Sequence, residues 1–183
     1  EGWVERLAED INASDVKAGR GERLYSIYSG GDDLFFVGSW DAVIELARRI
    51  RADLSRFAGY HPGVHASAGV VLVGGKYPLY QAAQDAGRAE EQAKDHEWFI
   101  EGSHRTKDSI TFLGQTMPWS QFGLVDDGAG RGTVSAWAHR LEQAMTKDGG
   151  SRSLLGLLMN MQNRYYAAAE KRRQQGMELS QER

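Results

Sequence analysis

The chain has no cysteine in 183 residues, which excludes a disulfide framework and thiolate-ligated zinc and fits a reducing compartment. It has no long apolar run either. The longest candidate, around Ala68–Val73, falls far short of the ~20 apolar residues that span a bilayer, so no membrane contact is expected and a cytoplasmic location is. Charge of one sign is also missing: 22 Lys+Arg against 25 Asp+Glu leave a formal charge of −3. Such a balance gives no overall attraction to polyphosphate backbones, so any nucleotide or nucleic-acid contact must come from a local patch. The five histidines, His61, His65, His96, His104 and His139, show no His-Glu-x-x-His spacing, and no nucleophile–base motif appears. Glu1 to Arg6 carry neither an initiator Met nor the basic start, apolar stretch and small cleavage residues of a signal peptide. The sequence therefore reads as a piece of a longer protein.

What is present suffices for one domain, or one domain with a helical appendage. Trp3, Val4, Leu7, Ala8 and Ile11 recur at helical spacing, whereas Asn12 to Glu22 is polar, holds Gly19 and Gly21, and reads as an exposed, mobile loop. Leu24–Tyr28 and Leu34–Val37 are strand formers. Ser39 is placed to cap a helix through Phe57, with Val43, Ile44, Leu46, Ala47, Ile50, Leu54 and Phe57 on its apolar face. Glu45, Arg48, Arg49 and Arg51 read as its solvated side. A strand over Val64–Val73, an alanine-rich helix over Leu79–His96 and a short strand at Ser109–Leu113 follow. Beyond Gly114, Thr133–Lys147 and Leu154–Arg173 have the pattern of an antiparallel helical hairpin. The order predicts an α+β sheet with helices on one face, then an all-α segment.

Between the first two strands stands Ser29-Gly30-Gly31-Asp32-Asp33. Paired glycines between strand formers predict a tight hairpin, because a primed turn needs positive φ. Adjacent aspartates at the tip of a buried hairpin would repel and lose solvation, and a divalent cation is the natural compensation. Hard Mg²⁺ or Mn²⁺ takes oxygen ligands and is usually held by one or two carboxylates plus substrate phosphates. Gly30 and Gly31 would also let a bulky phosphate or base approach the backbone. Plain turn chemistry is the competing reading, since aspartate favours turns.

The string Tyr28-Ser29-Gly30-Gly31-Asp32-Asp33-Leu34-Phe35-Phe36-Val37-Gly38, with Trp40-Asp41 after it, resembles the palm, or cyclase-like, signature of the large catalytic subunit of type III CRISPR effector complexes. The likeness covers roughly Leu24 to Leu113 in element order and includes Ser67-Ala68-Gly69, Lys76 and the Ala86–Lys94 helix; the segment after Gly114 is similar to that subunit's C-terminal helical domain. The implied fold is a ferredoxin-like palm sheet of the cyclase and polymerase type lacking its first strand, over residues 1–113, followed by an all-α domain over 114–183. The implied activity is metal-dependent nucleotidyl transfer that turns ATP into cyclic oligoadenylates. The implied partners are ATP, the remainder of the large subunit, other effector subunits, and guide and target RNA.

On that resemblance Asp32 and Asp33 are the catalytic metal ligands, with Mg²⁺ or Mn²⁺ as cofactor, and Gly30, Gly31, Ser67, Lys76 and Lys94 contact nucleotide. Each lysine reads equally as an ordinary surface cation, and Ser67 as a buried strand serine. The family's palm carries a further metal-binding aspartate on a preceding strand; Asp10 and Asp15 are poor substitutes for it, so the chain alone is expected to make no product. Leu34-Phe35 stands where diguanylate cyclases have Glu-Phe, which argues against cyclic dinucleotides. Two rivals stay open: a non-catalytic scaffold palm within a ribonucleoprotein, and a diguanylate-cyclase or polymerase relative.

Overall fold

The computed structural model describes residues 2–100, 102–124, 132–146, 156 and 160. Helix α1 (Trp3–Lys17) buries Val4, Ala8 and Ile11 at helical spacing. It leads to the hairpin β1 (Leu24–Gly30) and β2 (Asp33–Gly38), then to α2 (Trp40–Phe57). Leu24, Ala8, Ile11, Ala42 and Leu46 form one apolar cluster, with Leu7, Phe36, Val43 and Ile50 against it.

Strand β3 (Ala68–Val70) pairs in parallel with β6 (Ser109–Phe112), the two joined across α3 (Leu79–Lys94), because parallel neighbours need a crossover element between them. Strand β7 (Gln115–Pro118) adds antiparallel to β6, and a short α4 (Trp119–Phe122) turns Trp119 and Phe122 onto Ile110. Ile44 and Ala47 of α2 join this second cluster, so one helix serves both. The hairpin β4 (Glu97–Ile100) and β5 (Ser103–Thr106) lies between α3 and β6. The architecture is mixed α+β, as the element order predicts. Among the described residues the strands form three separate ladders, β1-β2, β3-β6-β7 and β4-β5, rather than one sheet; β2 and β3 do not pair.

Three expectations need correction. Asn12–Lys17 belongs to α1 rather than to the expected loop, and Asp15 is buried at 3% exposure by the Arg20 and Arg23 guanidiniums, whereas Ala18–Glu22 is exposed outside any helix or strand, as expected. Arg48 and Arg51 are not on a solvated face. The Arg48 guanidinium donates to the Gly123 and Leu124 carbonyls, and Arg51 forks onto Asp108 at 2.5 and 2.8 Å, whereas Glu45 and Arg49 do make the expected i,i+4 pair, half-buried. The strand expected over Val64–Val73 is only three residues long, and β4, β5 and β7 were not expected. Leu113, the expected domain boundary, lies in the turn that joins β6 to β7, and the first compact unit ends at Trp137. Helix α5 (Val134–Thr146) matches the first predicted helix of the C-terminal segment; the second, Leu154–Arg173, lies almost wholly outside the described residues.

Candidate functional site: the acidic hairpin and the end of the third helix

The β1-β2 register pairs Gly30 with Asp33 and leaves Gly31 and Asp32 as a two-residue turn. Gly31 sits at φ +64° and Asp32 does not take positive φ, the glycine-first arrangement of a tight hairpin. Gly30 is constrained differently. A Cβ there would meet the exposed Tyr28 ring, whose hydroxyl would lie 2.7 Å away, so a side chain at this position needs that ring to swing aside.

Both aspartates are exposed, which overturns the expectation of a buried tip and, with it, the argument from lost solvation. Their carboxylates make no hydrogen bond or ion pair within 4 Å among the described residues, leaving hard oxygen donors open. No group of three or more His, Asp or Glu side chains converges among the described residues. Two carboxylates on one turn nonetheless fit a magnesium-type ion, which commonly takes one or two protein carboxylates and fills its shell with water and phosphate oxygens. Asp15 is unavailable for this, since Arg23 and Arg20 donate to it and hold its pKa down at about 2.

Lys94 lies within electrostatic reach of this turn, and Ser67 is tied to the helix turn next to it. Ser67, half-buried just before β3, donates to the Ala93 carbonyl at 3.4 Å in the last turn of α3. Next along the helix, the Lys94 ammonium contacts Glu90 at 2.6 Å. That hydrogen bond raises the Lys94 pKa against partial burial, and the charges of Glu90, Asp33 and Asp32 add to it, so the ammonium sits within the field of the hairpin tip. The close approach has a cause in Gly69: any Cβ there would strike the Ala86 carbonyl oxygen and the Glu90 amide, so only glycine lets β3 lie this tightly on α3.

Lys76 is not part of this grouping. It is exposed before the N-terminus of α3, and the neighbouring Tyr77 hydroxyl donates to Asp85 in the first half of that helix. A 16-residue helix is about 24 Å long at 1.5 Å per residue, so Lys76 and Lys94 attend opposite ends of it. Glu90 was missed by the sequence reading, although its i,i+4 spacing to Lys94 is legible.

Residues 3–110 match the model for the Cas10/Cmr2 second palm domain. The chain is 39% identical over 97 residues to a protein of Methanocaldococcus jannaschii described as a CRISPR system single-strand-specific deoxyribonuclease Cas10/Csm1 of subtype III-A, covering 52% of this chain and 12% of that one. Proteins of the same description match from Enterococcus italicus, at 41% over 75 residues (41% and 10% of the two chains), and Mycobacterium tuberculosis, at 44% over 69 residues (37% and 8%). The chain thus spans about a tenth of the length of these curated relatives. No solved structure matches at a comparable level of significance. With the match covering more than half of its residues, and the Gly-Gly-Asp-Asp hairpin within it, the chain belongs to the Cas10/Cmr2 second palm domain family.

Proposed function

We propose that this chain is the nucleotide-cyclising palm of a type III CRISPR effector's large subunit, and that it forms cyclic oligoadenylates from ATP when the assembly binds target RNA. The observation that carries the reading is the open Asp32–Asp33 pair on its glycine turn, with the Lys94 ammonium in its field. Asp32 and Asp33 would hold Mg²⁺ or Mn²⁺, which supplies activation of a 3′-hydroxyl and neutralisation of departing pyrophosphate. Lys94 contributes positive charge for a triphosphate, and Ser67 offers a hydroxyl beside it. In each step the 3′-oxygen forms a bond to an α-phosphorus, pyrophosphate leaves, and the hydroxyl proton passes to solvent.

Strand β2 and strand β3 are unpaired toward each other, and a strand from the rest of the large subunit between them would join the ladders into a ferredoxin-like sheet and bring a further carboxylate. On this reading the chain alone is inactive, and its partners are that remainder, the other effector subunits, and guide and target RNA.

A scaffold role is the second reading, favoured by the exposure of both aspartates, which makes ordinary turn chemistry inexpensive. One experiment separates the two. The full assembly is incubated with target RNA, Mg²⁺ and each nucleoside triphosphate in turn, with and without Asp32→Ala/Asp33→Ala. Adenylate rings lost in the double variant support the cyclase; no product supports the scaffold; guanylate products support a diguanylate-cyclase relative.

A further inference from the structure

Strand β1 does not alternate evenly. Its pairing with β2 runs from Ser26 opposite Phe36 to Tyr28 opposite Phe35, which leaves Ile27 as an extra residue, a bulge shortly before the turn. Leu24 and Phe36 pack in the apolar cluster with α1 and α2, so Ser26, paired with Phe36, takes the helix side of the hairpin. Phe35 is the neighbour of Phe36 in sequence and takes the opposite side, and Tyr28 goes with it. With even alternation Tyr28 would follow Leu24 and Ser26 toward the helices. The bulge instead turns Tyr28, and after it Gly30 and its partner Asp33, onto the face away from them. Gly30 supports this placement independently. A Cβ there would lie 2.7 Å from the Tyr28 hydroxyl oxygen and 3.0 Å from the ring carbon that bears it, so the ring extends along the strand over Gly30, toward the acidic turn. More than half of Tyr28 is exposed, which leaves the outer side of the ring open.

We propose that Tyr28 is a substrate-binding residue, its ring the platform on which the base of the nucleoside triphosphate stacks. This rests on the proposed function, which puts the phosphates at Asp32 and Asp33. Asp33 is the diagonal neighbour of Tyr28 on the same face, at the ~7–8 Å spacing that long and aromatic side chains bridge. A nucleotide whose phosphates are drawn to a cation at the turn can lay its base back along the hairpin, onto the ring. Phe35 directly across and Tyr25 further back continue this face away from the turn. Gly30 gains a use that a turn alone does not demand, since a side chain there would displace the platform. Stacking serves any base, because every base has a π-face, so Tyr28 fixes where the base lies and leaves its identity to other groups.

The test separates the base from the phosphates. The assembled complex, with target RNA and Mg²⁺, is titrated calorimetrically with the 3′-deoxy triphosphate of 2-aminopurine riboside, whose emission falls when its base stacks, and with inorganic tripolyphosphate, which carries charge and no base. Tyr28→Ala should weaken the analogue about tenfold or more and abolish the fall in emission, while tripolyphosphate stays within about twofold of wild type. Tyr28→Phe keeps the ring and should bind both probes as wild type does. Tyr25→Ala, equally exposed on the same face but further from the turn, controls for a general effect on the hairpin. Unchanged analogue affinity in Tyr28→Ala, equal loss for both probes, a loss in Tyr28→Phe as large as in Tyr28→Ala, or a matching loss in Tyr25→Ala overturns the proposal. Rings formed from ATP by a complex whose analogue affinity ignores Tyr28 refute this inference and keep the function; the expected loss of analogue binding with no rings from wild type refutes the function and keeps the inference; a wild-type complex that binds neither probe removes both.

Discussion

Replacing Asn12 with alanine should destabilise the fold far more than a polar residue near a helix end normally would. The Asn12 amide oxygen accepts from the Arg23 and Leu24 amides at 2.9 Å each, and its amide nitrogen donates to the Leu24 carbonyl at 2.9 Å. A side-chain amide thereby pairs with the edge of β1 as a neighbouring strand would. Leu24 is 3% exposed, so its orphaned N–H and C=O would have little access to water. At about 1–2 kcal/mol for each of these two groups, the loss is about 2–4 kcal/mol. For a chain of this size that lowers the melting temperature by about 5–15 °C. Urea titration and thermal melts of the purified chain measure it. Asn12→Asp should rescue little, because it keeps the acceptor but sets a second oxygen against the Leu24 carbonyl. A midpoint within 1 °C of wild type in Asn12→Ala would refute the reasoning.

Gly69→Ala forces a methyl group against the backbone of α3 and should cost about 1–3 kcal/mol, which denaturant midpoints check. Asp15 gives the fold an acid limb. Its folded pKa of about 2 lies below the ordinary aspartate value, so its contribution is complete above about pH 4 and is lost as pH falls toward 2, and Asp15→Asn should flatten that part of the stability profile. Asp33→Asn keeps the turn and removes one charged donor, so stability should stay within about 0.5 kcal/mol while Mn²⁺ binding collapses, a split that melts and spectroscopy resolve. Lys76→Ala, at the far end of α3, should leave both untouched.

Much of the fold was legible because its signals are local. Gly30-Gly31 between strand formers marks the hairpin, and the apolar spacings of α1, α2 and α3 mark the helices. What escaped depends on partners far along the chain. Arg51 looks like a surface base until Asp108, 57 residues later, is folded against it. Asn12 and Asp15 look like loop residues until β1 arrives to be bound. The same limit governs the site: the acidic pair announces itself, whereas the seating of α3 on β3 at Gly69 shows only in the fold. Lys76 and Lys94 stand at opposite ends of α3, a separation that the linear sequence does not display.

That α2 belongs to both apolar clusters has a bearing on how this unit comes apart. Ala42 and Leu46 look one way, Ile44 and Ala47 the other, so neither cluster can open while the helix stays seated in its partner. Its amide protons should therefore be among the last to trade with deuterium, and a protease cut within it should release the two halves together.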